Sequence, residues 1–203
     1  MSLKLIVGLG NPGANYEMTR HNAGFALLDR LVTKYGGTFA HNNKMQAELC
    51  KLKLDAFNLI LAKPMTYMNL SGQAVSAIMA FYKIEKTQLL VAHDEVALPL
   101  GVLRLAKGGG SAGNHGIESI MSHLGHKDFN RLRLGVGPDP GGARRADYVL
   151  SRFPAHEEEL FFKAIDLAAE ASEIWLRRGI QEAMNKYNGM DLRPLEAENA
   201  PQK

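Results

Sequence analysis

Asn11, His21 and Asp94 have the chemistry of an acid–base site, at a spacing that only folding can close. His21 follows Thr19-Arg20 and immediately precedes Asn22 and an apolar helical periodicity, a position where an imidazole is not consumed by core packing. Asp94 lies in His93-Asp94-Glu95, directly after the apolar run Leu89 to Ala92. It is therefore expected at the carboxyl end of a buried strand, where open α/β sheets gather their ligand crevice. Asn11 ends another apolar run, and Thr66 to Asn69 follow a third that ends at Ala62. A carboxylate beside a histidine makes a general base, because it fixes the tautomer and stabilises the imidazolium that forms. The competing reading gives the two residues separate structural roles.

Other chemistries find less support. Ser71 lies outside any G-x-S-x-G, and Cys50 sits in an alternating strand pattern that suits a small packed thiol. His123 and His126 lack the partners of a metal site, so no metal is expected. Gly8-Leu9-Gly10-Asn11-Pro12-Gly13 satisfies the dinucleotide fingerprint after a strand. Pro12 removes an amide donor, however, the helical pattern starts too late, and Asp29 falls inside that helix. The simpler reading is a tight turn that delivers Asn11 to the end of the strand. Residues 108–116 hold five glycines in nine positions and lead into a helix, so their amides could hold a phosphate or a substrate main chain.

These residues need a scaffold, and the hydrophobic pattern describes one. Leu3 to Leu9 reads as a strand buried on both faces, followed by a helix over about 21–36 that Gly36-Gly37 stops. Residues 47–54 and 57–62 read as a hairpin, and a helix is expected over 72–83. Strands at 89–92, 102–105 and 132–136 follow, with a helical stripe at Ile117, Ile120, Met121 and Leu124. From 155 to 188 the pattern is helical, interrupted at Gly179. The fold class is α/β: a single three-layer domain over 1–190, with a twisted, mixed, mostly parallel sheet between helices and a frayed tail at 191–203.

Composition agrees. With 203 residues, 46% hydrophobic and 22% charged, the chain encodes a globular core and is not disordered, collagenous or coiled-coil. A single cysteine and the absence of a signal-peptide h-region point to the cytoplasm, and no apolar run approaches the roughly 20 residues needed to span a bilayer. Between Gly101 and Leu150 bases outnumber acids by seven to four, whereas the segment after Pro154 is acidic. The basic stretch is either a solvated face or a surface for a polyanion.

Taken together, several blocks resemble bacterial-type peptidyl-tRNA hydrolases: Leu5 to Gly13, Tyr16 with Thr19 to Gly24, Lys63 to Gly72, His93-Asp94-Glu95, the glycine loop, and Arg131 to Gly137. They occur in the family's order over about residues 3–150. The resemblance implies a monomeric, cofactor-free α/β hydrolase of N-blocked aminoacyl-tRNA esters with tRNA as its partner. It implies that His21 activates water, Asp94 orients it and Asn11 senses the blocked amino group. Asn69 and a glycine-loop amide would hold the peptide backbone, Tyr16, Tyr67 and Met68 would line the peptide and terminal-nucleotide path, and Arg104, Lys107, Arg131 and Arg133 would meet tRNA phosphates.

Two departures from the family pattern matter. Gly113-Asn114-His115-Gly116 stands where the family usually reads Gly-His-Asn-Gly, so the asparagine role falls either to His115 or to Asn114. Ala106 stands where the family often has lysine, with Lys107 adjacent. Two rival functions remain from the sequence, a non-catalytic RNA-binding module and a dinucleotide-dependent oxidoreductase. Hydrolysis of N-acetyl-aminoacyl-tRNA and titration with a nicotinamide cofactor separate them.

Overall fold

The apolar run that opens the chain becomes the middle of a sheet. The computed structural model describes residues 2–54 and 57–194. In chain order the elements are β1 (Ser2–Gly8), α1 (Ala23–Tyr35), β2 (Ala40–Asn42), β3 (Ala47–Lys53), β4 (Phe57–Pro64), α2 (Ser71–Tyr82), β5 (Leu89–Pro99), β6 (Leu103–Lys107), α3 (His115–Leu124), β7 (Asn130–Gly137), α4 (Arg144–Val149), α5 (Ala155–Arg178) and α6 (Ile180–Tyr187). Among the described residues the strand order is β2-β3-β4-β1-β5-β7-β6. The central strands β4, β1, β5 and β7 run parallel. The pairings toward both edges are antiparallel.

Strand alternation divides the core in two. Leu5 and Val7 pack with Val75, Ile78, Ile117 and Ile120 beneath α2 and α3. Ile6, between them in sequence, packs with Leu27, Leu31, Phe161 and Trp175 beneath α1 and α5. The result is the expected helix–sheet–helix sandwich, with each fully buried leucine or isoleucine contributing about 1.5–3 kcal/mol.

The glycine fingerprint serves packing between α1 and β1. A Cβ on Gly8 would lie 2.2 Å from the Gly24 carbonyl oxygen, and one on Gly24 would lie 2.4 Å from the Leu9 nitrogen and 2.5 Å from the Ala92 oxygen. Helix propensity alone favours alanine over glycine by about 1 kcal/mol. Backbone atoms cannot yield to the new methyl, so the clash decides the sign. Gly24→Ala is expected to destabilise the fold by about 1–3 kcal/mol, read as a lower urea midpoint at unchanged slope. A raised midpoint would show that α1 lifts off the sheet without penalty.

Three expectations need revision. The strand expected over 89–92 runs on to Pro99, because β7 stays alongside it with Asp94 opposite Leu134 and Glu95 opposite Gly135. Asp94 is thus in mid-strand, but β1 pairs only as far as Ala92, so Asp94 projects beyond the end of β1. The short edge strand β2 carries no alternating apolar signature, which is why sequence periodicity passes over it. The tail expected from 191 is anchored at its start: Asp191 bridges Val102, and the Leu192 amide donates to the Gly101 carbonyl at 3.1 Å. Just before it, the Asn188 carboxamide mimics a strand partner by accepting from the Leu105 amide at 2.7 Å and donating to its carbonyl at 2.9 Å, which closes the β6 edge. The hairpin turn at Asp55-Ala56 and the rest of the expected tail, 195–203, lie outside the described residues.

Candidate active site

The turn after β1, the short 3₁₀ turn Arg20–Asn22 before α1, the turn after β4 and the middle of β5 meet at one edge of the sheet. A cavity of about 700 Å³ opens there, lined by Asn11, His21, Tyr67, Met68, Asn69 and Asp94 on one side. Gly113, Asn114 and His115 close the next wall, and residues 142–150 contribute the roof. His21 Nδ1 lies 2.9 Å from both carboxylate oxygens of Asp94. A carboxylate only accepts, so Nδ1 carries the hydrogen and Nε2 keeps the free lone pair on the neutral ring. Burial pushes the His21 pKa down, but the charge of Asp94 and its hydrogen bond outweigh it, leaving the pKa above the ordinary 6.5.

Asp94 is itself held. Its Oδ1 accepts from Asn114 Nδ2 at 3.0 Å, while Asn114 Oδ1 accepts from the Gly116 and Ile117 amides at 3.1 Å each. Asn114 is therefore the N-cap of α3, and capping fixes which end of its carboxamide faces the carboxylate. The two residues of the Asn-His inversion meet different partners: Asn114 reaches Asp94, whereas the His115 side chain is 73% exposed and pairs with Glu118 at 3.2 Å. On the other side of Asp94, His93 Nδ1 donates to the Asp94 carbonyl at 2.8 Å. Burial lowers the His93 pKa to about 4, so this imidazole stays neutral.

Asn11 is oriented just as firmly. Its amide donates to Asn22 Oδ1 at 2.8 Å, its carbonyl accepts from Asn22 Nδ2 at 3.0 Å, and its Oδ1 accepts from the Met68 amide at 2.9 Å. With the oxygen engaged, Nδ2 is what the side chain offers to the cavity, and Nδ2 only donates. Met68 is buried, while Tyr67 is 62% exposed at the rim and Asn69 is exposed beside it. Tyr16 does not join them. It is half-buried near Gly13 and lies outside the cavity lining.

The four basic residues expected at tRNA phosphates separate into different environments. Arg131 is completely buried, and its guanidinium donates to the Gly109 carbonyl at 2.7 Å and to that of Gly110. The glycine loop lies over Arg131 and accepts from both of its terminal nitrogens, so this buried side chain braces the loop and is not presented at the surface. Arg133 is partly exposed and faces Glu95 at 3.7 Å. Arg104 stands opposite Arg133 in the β6–β7 register, which puts both on one sheet face. Lys107 is exposed, but alternation sends it to the other face of β6 from Arg104 and Ala106, so it does not replace a lysine at Ala106 side for side. Within the loop, the Gly113 amide donates to Ser111 Oγ and the Asn114 amide to the Ser111 carbonyl, so these two are spent internally.

The sequence did not place Glu95, Val96 or residues 142–150 in the cavity wall. Arg145 in that wall donates to Asp139 and lies close to Gly113. The pair Gly141-Gly142, both at positive φ, precedes Arg144-Arg145 and turns the chain into that wall.

Comparison with known proteins places nearly the whole chain in one family. The profile of the family described as Peptidyl-tRNA hydrolase covers residues 5–195. A peptidyl-tRNA hydrolase of Elusimicrobium minutum is 44% identical over 186 residues, 92% of this chain and 99% of that protein. One from Desulforamulus reducens is 45% identical over 186 residues, 92% of this chain and 89% of its own. The crystal structure of peptidyl-tRNA hydrolase from Acinetobacter baumannii superposes with a TM-score of 0.88 at 39% identity, covering 93% of this chain and 96% of that one. These likenesses run through every element that builds the cavity, and the chain belongs to the peptidyl-tRNA hydrolase family, as an enzyme of that class.

Proposed function

We propose that the chain cleaves the ester between an N-blocked aminoacyl or peptidyl group and the terminal ribose of tRNA, with water activated by His21. The observation that carries this reading is the His21 Nδ1 contact to both oxygens of Asp94, which leaves Nε2 basic and turned to the cavity. Nε2 takes a proton from water as the water oxygen attacks the ester carbonyl. The tetrahedral intermediate then collapses, and the imidazolium returns the proton to the departing ribose hydroxyl. An alkoxide leaves far more readily than an amide nitrogen, so a positioned base contributing about 10²–10⁴-fold suffices without a covalent step. Release of free tRNA from N-acetyl-aminoacyl-tRNA by the purified chain tests the reading; tight tRNA binding without release would make it an RNA-binding module instead.

Asn11 carries the selectivity in this scheme. A donor-only Nδ2 fits the acyl carbonyl of a blocked amine, and it repels the ammonium of a free aminoacyl ester, which has nothing to accept with. Asn11→Asp keeps the volume and the bond from Met68 but replaces that donor with a negative acceptor. Opposite charges at close range favour each other by about 1 kcal/mol or more. The expected result is a fall in kcat/KM on N-acetyl esters together with a collapse of their advantage over free aminoacyl-tRNA. Equal loss on both substrates would leave Asn11 with a purely structural role in the turn.

A further inference from the structure

Arg20, next to His21 in the chain, is used in an unusual way. It is 4% exposed, and its guanidinium lies between the rings of Tyr148 and Phe153, 4.5 Å from each centroid. Nη1 donates to the Val136 carbonyl at 3.0 Å, and Nη2 meets Glu157 Oε2 at 2.6 Å. The Arg20 amide donates to the Ser151 carbonyl at 3.0 Å, and Thr19 bridges Arg152. Tyr148 completes the cluster by donating its hydroxyl to the same Val136 carbonyl at 2.8 Å. One side chain thus ties the turn bearing His21 to the end of β7, to α4, to the 151–153 segment and to the first turn of α5.

We propose that Arg20 is a positioning residue for His21, the fixed anchor that sets the imidazole against Asp94. The inference rests on the reading of His21 as the base. The turn has two neighbours of its histidine as fastenings: Asn22 holds the main chain of Asn11 on one side, and Arg20 holds the opposite side. Without the second fastening the turn pivots, and Nδ1 loses its symmetric contact with the carboxylate. Burying a guanidinium between two rings demands its planar fork, which an ammonium lacks. Arg20→Lys keeps the charge for Glu157 and loses the stacking and the simultaneous bond to Val136.

The experiment is a double-variant cycle read on N-acetyl-aminoacyl-tRNA, with an NMR titration of the His21 ring. Arg20→Lys is expected to lower kcat by about 10²-fold, the scale of a displaced catalytic group, with KM changed much less. The His21 midpoint should fall, since Asp94 no longer offsets burial. Added to His21→Ala, Arg20→Lys should cause no further loss, because it acts only through the imidazole. A full, independent loss in the double variant, or an unmoved titration with wild-type kcat, overturns the anchor. Phe153→Leu and Glu157→Gln each remove one contact and should move kcat and the titration in the same direction, which keeps the test intact if Arg20→Lys fails to fold. His21→Ala at wild-type turnover would refute the base itself, whereas an inactive His21→Ala beside an unaffected Arg20→Lys would refute the anchor alone.

Discussion

Replacing His21 by alanine is expected to reduce release of tRNA from N-acetyl-aminoacyl-tRNA by about 10²–10⁴-fold, while tRNA affinity stays within a few-fold. The imidazole is 12% exposed in a cavity wall and is held by Asp94, with Nε2 as its one free basic atom. Its hydrogen bonds go to Asp94 and not to the basic residues of β6 and β7. The loss should therefore appear in kcat, with KM little changed. A single-turnover assay with the variant in excess separates the chemical step from binding. Turnover within a few-fold of wild type would assign the base elsewhere.

Asp94→Asn should lower kcat by a comparable factor, about 10²–10⁴-fold, and change the pH profile in a defined direction. Asp94 now accepts from two donors at once, His21 Nδ1 and Asn114 Nδ2. An asparagine has one oxygen for the two of them. If that oxygen serves Asn114, the new amide donates to His21 Nδ1 and forces the hydrogen onto Nε2, which removes the base. The pKa of His21 is raised because the charge of Asp94 and its hydrogen bond overcome the effect of burial. With the charge gone, burial prevails and the pKa falls. Since the neutral ring is the active form, the wild-type acid limb lies above the ordinary histidine value, and the limb of the variant should move to lower pH while the plateau drops. An unmoved limb would show that Asp94 does not set the protonation of His21.

Local pattern was enough for much of this molecule. The almost unbroken apolar run Leu3 to Leu9 suits a strand covered on both faces, and the apolar spacing of α1 with glycine at its end suits a capped helix. Residues that immediately follow such runs, Asn11 and the Thr66 to Asn69 stretch, inherit their position from the strands. These signals are short-range, so a single chain carries them without reference to its fold. The seven-to-four excess of bases over acids was equally visible. Its meaning was not, because Arg131 and Arg133 share a strand face and a composition yet differ in what lies above them.

Which partner each polar group meets depends on how distant segments pack together. Burial of Arg131 depends on the glycine loop folding back over β7, and strand alternation cannot reveal a loop path. The different partners of Asn114 and His115 follow from where α3 begins: the cap residue aims its carboxamide at the first free amides and at Asp94, while the next residue already belongs to the helix and pairs with Glu118. Arg20 read as one more basic residue in a motif until Tyr148, Phe153 and Glu157, more than 120 positions away, closed around it. The sequence determined the periodic elements, because hydrophobic burial repeats along one segment. Contacts among hydrogen-bonding groups needed the fold, because each depends on the distance and angle between segments that the chain itself leaves far apart.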